Sequence, residues 1–564
     1  MRAAKPWRPL LASAVLVAVA IGLTWPASVH PDRFVPGGLG RPTLDGEVFL
    51  ADVMRDAVLT GHPLRWFVTD LVNFPLGQDL GPRVAHSFQL YLELLAVLPF
   101  GPLYGLGVAG AMLLAMNGLA AFALGRRVLR DDAAALVTGL FFELNTFTLV
   151  KLSLGSMHKT TQFWLPLLLL ALLRLAERAS LRSVLPAFGV LTLGYLCYPV
   201  YAFYALLFTG LFVAWEALAR RRWRMLGLGA LLLLGFAAVN LGLDRLQGFS
   251  VGGEASAVPP EVMPEFFPNG TLDLLHPFGQ VLAPPTGLPI GLSVVGVALA
   301  VVALAWRGAS LERFLGAGAL LFVLLAGGSW VAVHGRPVEV AGVPLYLPHK
   351  LLIEALPTFY GSGVGLFFPI RALPVAFLCL ALLGGFAVQR LARGVGVPSW
   401  TVAALAALLY VGEHRLRFPT ITPAQSGPIE LPAILGGIAA DPDGAAILHL
   451  PPTRETAACH RYCLYSSVTG LKSVNPYDRE GLWLEVPTSR SPAVARQEFV
   501  DRLLAADVRL VMVHGEYRGP PYPPVDLAWL ARALTEPGDV RREGDLTVYH
   551  LPDGLQVATG EDGL

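Results

Sequence analysis

Apolar runs long enough to cross a lipid bilayer recur along most of this 564-residue chain. A spanning helix needs roughly 20 mostly apolar residues, because each adds about 1.5 Å to a path of about 30 Å through hydrocarbon. Runs that qualify, some of them marginal in length, lie at 9–27, 102–125, 133–150, 161–176, 183–200, 201–218, 224–243, 287–306, 314–332, 371–389 and 399–412. Lipid satisfies no backbone polar group, so such runs must fold as helices. Composition agrees: the chain is 54% hydrophobic and 15% charged, with a mean hydropathy of +0.57, far from a soluble chain of this size. The expected fold is an all-α polytopic bundle of about eleven transmembrane helices. The first run follows a basic start and reads as an uncleaved anchor, since many spans follow and no small-x-small cleavage site stands out.

Lys and Arg set the expected orientation. Arg2, Lys5 and Arg8 precede the first run, and Arg126, Arg127 and Arg130 follow the second. Arg174, Arg178 and Arg182 lie between the fourth and fifth, and "ARRRWR" (219–224) between the sixth and seventh. Arg307 with Arg313, then Arg390 with Arg393, mark the last basic loops. These alternate loops are short, which leaves no room for a cytosolic domain. An odd number of spans then puts the N-terminus inside and the C-terminus outside a bacterial cytoplasmic membrane. The break at Tyr198-Pro199 leaves open one long kinked helix in place of the fifth and sixth spans.

The outer side thus holds a loop at 28–101 with a short apolar helix at 88–99, "GSMHKT" (155–160), loops 244–286 and 333–370, and the tail. The expected division is a membrane domain over 1–414 and an extracytoplasmic α/β domain over 415–564. In the tail, 444–451, 508–515 and 546–552 read as strands, and 494–508 has helical spacing.

"LDGEVFLADVMRD" (44–56) concentrates carboxylates in an otherwise lightly charged chain. Asp52 and Asp56 share a helical face and read as the wet side of a helix on the outer leaflet. Asp45 sits next to Gly46 in the position of an N-cap. It could instead act as a general base toward an acceptor hydroxyl, or hold a divalent cation such as Mg or Mn. His158 and Lys159 could meet a phosphate or a sugar hydroxyl, or simply snorkel to the interface. Asp273 and His276 lie in "TLDLLHP". Arg371 could clamp a lipid-linked phosphate or anchor a helix mouth, and Lys350 is a weaker candidate of the same kind.

The twelve His show no HxH or HxxxH pair, so scattered surface histidines are expected rather than a metal site. Cys459 and Cys463, with three residues between them in "CHRYC", could close a small disulfide ring or remain thiols. No Walker A, GxSxG, HExxH or strand-linked GxGxxG motif occurs, and no nucleic-acid partner is expected.

An inner N-terminus, a first span and a long outer loop opening with an acid resemble the GT-C superfamily of multi-pass glycosyltransferases. The sequence is more closely similar to the YfhO-like group of bacterial GT-C-type membrane proteins. "LDGEVFLADVMRDAVLTGHPL" with "NFPLGQDLG", "GSMHKTTQFWLPLLLLALLRL", "LDLLHPFG" and "FFPIRALPVAF" carry the likeness by their order, over residues 8–415. The resemblance implies transfer of a sugar from a polyprenyl-phosphate donor to a lipid, glycan or protein acceptor on the outer face. It implies Asp45 as catalytic base with Glu47 as substitute. It also implies a lipid phosphate near Arg371, Lys159 and Lys350. Gly46 departs from the paired acids of the family. A glycolipid transporter or flippase, and a non-catalytic envelope-glycan assembly factor, are the competing readings. A transporter would want polar residues inside the spans, and few occur: Asn117, Glu143, Asn145, Glu216 and Asn240.

Overall fold

A computed structural model describes residues 7–61, 68–80, 87–246, 272–274, 277–278, 280–281, 289–306, 310–333, 336–355, 369–439, 446–451, 456–476, 486–487, 491–515 and 540–551. The chain is mostly helical, with a small sheet near its C-terminus. In chain order the helices are α1 (Trp7–Leu23), α2 (Pro42–Leu59), α3 (Phe88–Phe100), α4 (Pro102–Leu129), α5 (Asp132–Glu143), α6 (Thr146–Ser153), α7 (Met157–Thr160), α8 (Trp164–Arg178), α9 (Leu181–Cys197) and α10 (Pro199–Leu218). They continue as α11 (Arg224–Leu246), α12 (Val294–Ala305), α13 (Ser310–Ala326), α14 (Pro348–Ala355), α15 (Leu373–Val395), α16 (Ser399–Arg417), α17 (Ala433–Ala439), α18 (Thr456–Thr469) and α19 (Ala493–Ala505).

The chain divides into two compact units. One holds Met1–Gly37, Ala85–Leu92 and Gly107–Ser426; the other holds Gly38–Val84, Glu93–Leu106 and Gly427–Leu564. Most of residues 38–106 therefore cluster with the C-terminal segment.

In the first unit α15 is the central helix, packed by α5, α12 and α13. Gly384 and Gly385 let α5 approach: a Cβ on Gly384 would meet the Phe141 ring at 3.1 Å. Phe141 in turn stacks on Tyr410 of α16, with ring centroids 3.8 Å apart. The expectation of eleven spans is met in part. Among the described residues, three helical segments are long and apolar enough to cross a membrane: Pro102–Leu129, Pro199–Leu218 and Pro369–Val395. The pair α5 and α6, bent by 42°, makes up to a fourth. Two helix ends are set locally. Ala179 ends α8 in the left-handed region, and Tyr198, in extended conformation, separates α9 from α10 into two helices instead of one kinked helix. Hydropathy registers burial, but caps and turns set helix length.

The five-stranded sheet of the second unit is built from β1 (Ala446–Leu450), β2 (Lys472–Ser473), β3 (Val508–His514), β4 (Val540–Glu543) and β5 (Leu546–His550). Their order is β2-β1-β3-β5-β4, parallel through β2, β1 and β3 and antiparallel from β3 onward. Strand alternation sends Leu448, Leu450, Val511 and Val513 to a core shared with Phe499, Val500 and Leu503 of α19. His449 and His514 point to the other face, where Tyr462 of α18 covers them. Helix α2 packs on α18.

Candidate functional site

The first unit gathers cations and aromatic rings around the "GSMHKT" loop. Asn145 caps α6, its carbonyl oxygen accepting from Thr148 N at 2.9 Å. Gly155, at φ 67°, reverses the chain, and Ser156 N donates to Lys151 O at 2.9 Å. Buried Asn117 of α4 then fixes the return from both sides: its Nδ2 donates to Thr160 O (2.8 Å) and its Oδ1 accepts from Gln162 N (2.9 Å). The polar residues found inside apolar runs are thus partly explained, because they hold this loop.

Tyr201 Oη donates to Lys159 O at 3.0 Å, and the His158 ring lies 5.3 Å from that of Tyr198. Tyr198 also meets Tyr201, at 4.7 Å, and the Arg371 guanidinium, 5.4 Å from its ring centroid. Arg371 stands in the 3-10 turn Pro369–Ala372 that opens α15. Lys151, at the end of α6, sits 5.2 Å over the Phe147 ring and within electrostatic reach of Arg371. Two cations held near each other on aromatic faces form a local field that attracts an anion. The fold therefore brings together His158, Lys159 and Arg371, and adds Lys151. That lysine was legible only as a single charge ending an apolar run.

Lys350 is engaged one turn away by Glu354 (3.3 Å) and lies 5.7 Å from the Tyr346 ring. Asp273 is half-buried beside Leu272, whose N–H donates to Ala326 O at 2.7 Å. His276 lies outside the described residues.

The first-loop acids belong to the second unit. Asp45 is not the N-cap of α2. Arg41 holds that position, and Asp45 lies within the first turn. Its Oδ1 accepts from Gly40 N at 3.1 Å, and its Oδ2 pairs with Arg461 Nε of α18 at 2.8 Å. The Asp45 side chain is 1% exposed. Gly40 has φ 87°, and a Cβ there would run into the Arg461 guanidinium. Gly46, which separates the two acids, lets the His460 ring approach: its Cβ would lie 2.6 Å from His460 Nδ1.

The expected wet face of α2 is corrected as well. Asp56 is exposed, but Asp52 is half-buried against α18. Burial holds its carboxyl above the usual carboxylate range despite a hydrogen bond with Ser467. Glu47 is buried and acts on Glu93 of α3. Glu93 is fully buried, with no hydrogen-bond partner for either oxygen among the described residues. Burial, then the negative charge of Glu47, push its carboxyl well above the usual range. The pair sets one buried carboxyl group near a second.

Behind Arg461 lies an aromatic and imidazole layer. His449 Nδ1 and His514 Nε2 are 3.0 Å apart, both rings fully buried. Tyr462 stacks on His449 with centroids 4.7 Å apart and planes 6° apart. Tyr465 stacks on His514 and also lies 5.8 Å from the Arg461 guanidinium. Burial pushes His449 down to about 3. Burial, His449 and Arg461 together push His514 well below the ordinary imidazole range. The sequence hint was a His placed at alternating positions of "AILHL" and "VMVH". Cys459 and Cys463 are both buried thiols on α18, one turn apart. Among the described residues, no group of three or more His, Cys, Asp or Glu could hold a metal ion.

No family model matches the chain, and no curated protein does. The chain is similar to solved structures. One is the archaeal oligosaccharyltransferase AglB from Archaeoglobus fulgidus in complex with an inhibitory peptide and a dolichol-phosphate, at TM-score 0.47 and 13% identity, covering 91% of this chain and 70% of that one. Another is the arabinofuranosyltransferase AftD from Mycobacteria, at 0.49 and 14%, covering 99% of this chain but only 40% of that one. A third is ArnT from Cupriavidus metallidurans bound to undecaprenyl phosphate, at 0.43 and 14%, covering 96% and 98%. At such identities and scores these likenesses assign neither activity nor substrate to this chain.

Proposed function

We propose that this protein is a GT-C-type membrane glycosyltransferase. It takes a sugar from a polyprenyl-phosphate donor and passes it to a lipid, glycan or protein acceptor at the outer face of the bacterial cytoplasmic membrane. One observation carries the reading: Lys151 and Arg371, on the rings of Phe147 and Tyr198, lie within electrostatic reach of each other, with His158 and Lys159 on the adjoining loop. Two positive charges from separate elements, set among aromatic rings in an apolar bundle, suit the phosphate of a lipid carrier. A first-loop carboxylate, Asp45 or Glu47, serves as base toward the acceptor hydroxyl. For Asp45 that role requires Arg461 to move, because both carboxylate oxygens are engaged. Glu47 is buried and lies within electrostatic reach of Glu93. A divalent cation remains part of the proposal only as an aid to the donor phosphate.

The Asp45–Arg461 pair favours one second reading, a non-catalytic assembly factor whose first-loop helix is clamped to α18. The test is mass spectrometry of lipid-linked and surface glycans in a deletion strain. The strain carries wild type, Lys151→Met, Asp45→Asn or Glu47→Gln at equal membrane abundance. Lys151→Met should fail to restore a sugar that wild type restores. Full restoration by Lys151→Met sinks the donor-phosphate assignment. Full restoration by both carboxylate variants removes the base and favours the assembly factor.

A further inference from the structure

The short basic loop between α8 and α9 does more than carry positive charge. Ala179 there adopts φ 44° and ψ 49°, the left-handed region that costs a non-glycine residue about 1–2 kcal/mol. The reversal lets α9 begin at Leu181, so Arg174 and Arg178, one turn apart on α8, meet Arg182 on α9. Arg127, near the end of α4, joins them, held by both oxygens of Glu177 at 2.6 Å. These residues, with Ser180 and Ser183, line a cavity of about 450 Å³. The two serine hydroxyls are 2.8 Å apart.

Among the described residues, Arg174, Arg178 and Arg182 form no ion pair. Leu181 and Leu185, on the first turns of α9, are 65% and 69% exposed. Orientation in a membrane needs only basic residues near helix ends. It does not require them to converge on a hollow, or a strained turn that aims them there. The first turn of α9 adds backbone N–H groups and the positive end of its dipole.

We propose that this cavity binds the phosphate headgroup of an anionic phospholipid, with Arg174, Arg178 and Arg182 on the phosphate and Leu181 and Leu185 along the acyl chains. A free phosphate shares the cationic floor but has no use for the exposed leucines. Its volume fits a small headgroup, and basic hollows between membrane helices are a known form of lipid site.

The test is native mass spectrometry of the full-length protein in detergent, titrated with phosphatidylglycerol, phosphatidylcholine or inorganic phosphate. Phosphatidylglycerol should occupy a retained site, and the triple variant R174Q/R178Q/R182Q should weaken it by about tenfold or more. The variant R221Q/R224Q, which changes another basic loop, should leave it intact. Equal weakening by the second variant reduces the effect to general surface charge and overturns the site. Equal binding of phosphatidylcholine, or displacement of the lipid by inorganic phosphate alone, overturns the lipid occupant. None of these outcomes depends on the glycosyltransferase reading.

Discussion

Acid should loosen α18 from the C-terminal sheet, and the buried imidazoles set how far. An unfolded histidine titrates near about 6.5, whereas burial holds His449 down to about 3. The folded unit excludes a proton that the unfolded chain binds. Stability is therefore complete above about pH 6.5 and falls as pH drops through that value, by about 1.4 kcal/mol per pH unit. By about pH 4.5 the loss from His449 alone is on the order of 2–3 kcal/mol, a large part of a typical domain's 5–15 kcal/mol. His514 is displaced in the same direction, and a proton on one ring raises the cost of a proton on the other, so His514 adds to the loss. No rescue comes from the charged groups that face the pair: Arg461 is itself a cation, and it engages the nearby Asp45. Cys459 and Cys463, 1% and 0% exposed on α18, are built-in reporters. The full-length protein would be labelled in detergent with an aromatic disulfide reagent that reacts in acid, with peptide mapping to separate Cys197 and Cys379. Relative to free cysteine at the same pH, labelling of Cys459 and Cys463 should rise at least about a hundredfold from pH 7 to 4.5. His449→Gln, which removes one buried imidazole, should flatten that slope. Protection that stays constant over this range, or an unchanged slope in His449→Gln, refutes the reasoning.

Two substitutions test backbone geometry. Gly40→Ala must place a side chain at φ 87°, where the Arg461 guanidinium already sits, so it should cost more than about 2 kcal/mol and break the Asp45 pair; urea unfolding followed by Cys459 labelling measures it. Ala179→Gly relieves a left-handed residue and should stabilise the α8–α9 turn by up to about 1 kcal/mol, read as a rise in melting temperature of the detergent-solubilised protein.

Local pattern was a good guide wherever neighbouring residues alone settle the outcome. The apolar alternation and turn residues of the tail predicted strands that form at Ala446–Leu450, Val508–His514 and Leu546–His550, and a helix that forms at Ala493–Ala505. The short helix expected at 88–99 forms at Phe88–Phe100, and Tyr198-Pro199 does interrupt the chain. The count of spans is matched only in part, because a run of apolar residues reports an environment, not a helix length. Tyr198, in extended conformation, ends a helix inside a stretch of nearly unbroken hydropathy.

Periodicity, caps and composition are properties of residues a few positions apart, and they already state that this chain is helical, apolar and finished by an α/β tail. Partnership across hundreds of residues follows a different logic. Asp45 looked like a cap and a base, yet Arg461, 416 positions away, buries and neutralises it. His449 and His514 looked like two surface histidines, yet β1–β3 pairing puts them 3.0 Å apart under Tyr462. Lys151 and Arg371 become neighbours only when α6 and α15 pack in one bundle. No local signal encodes such meetings, because burial turns a weak charge or ring into a strong interaction only after distant segments have excluded water around it.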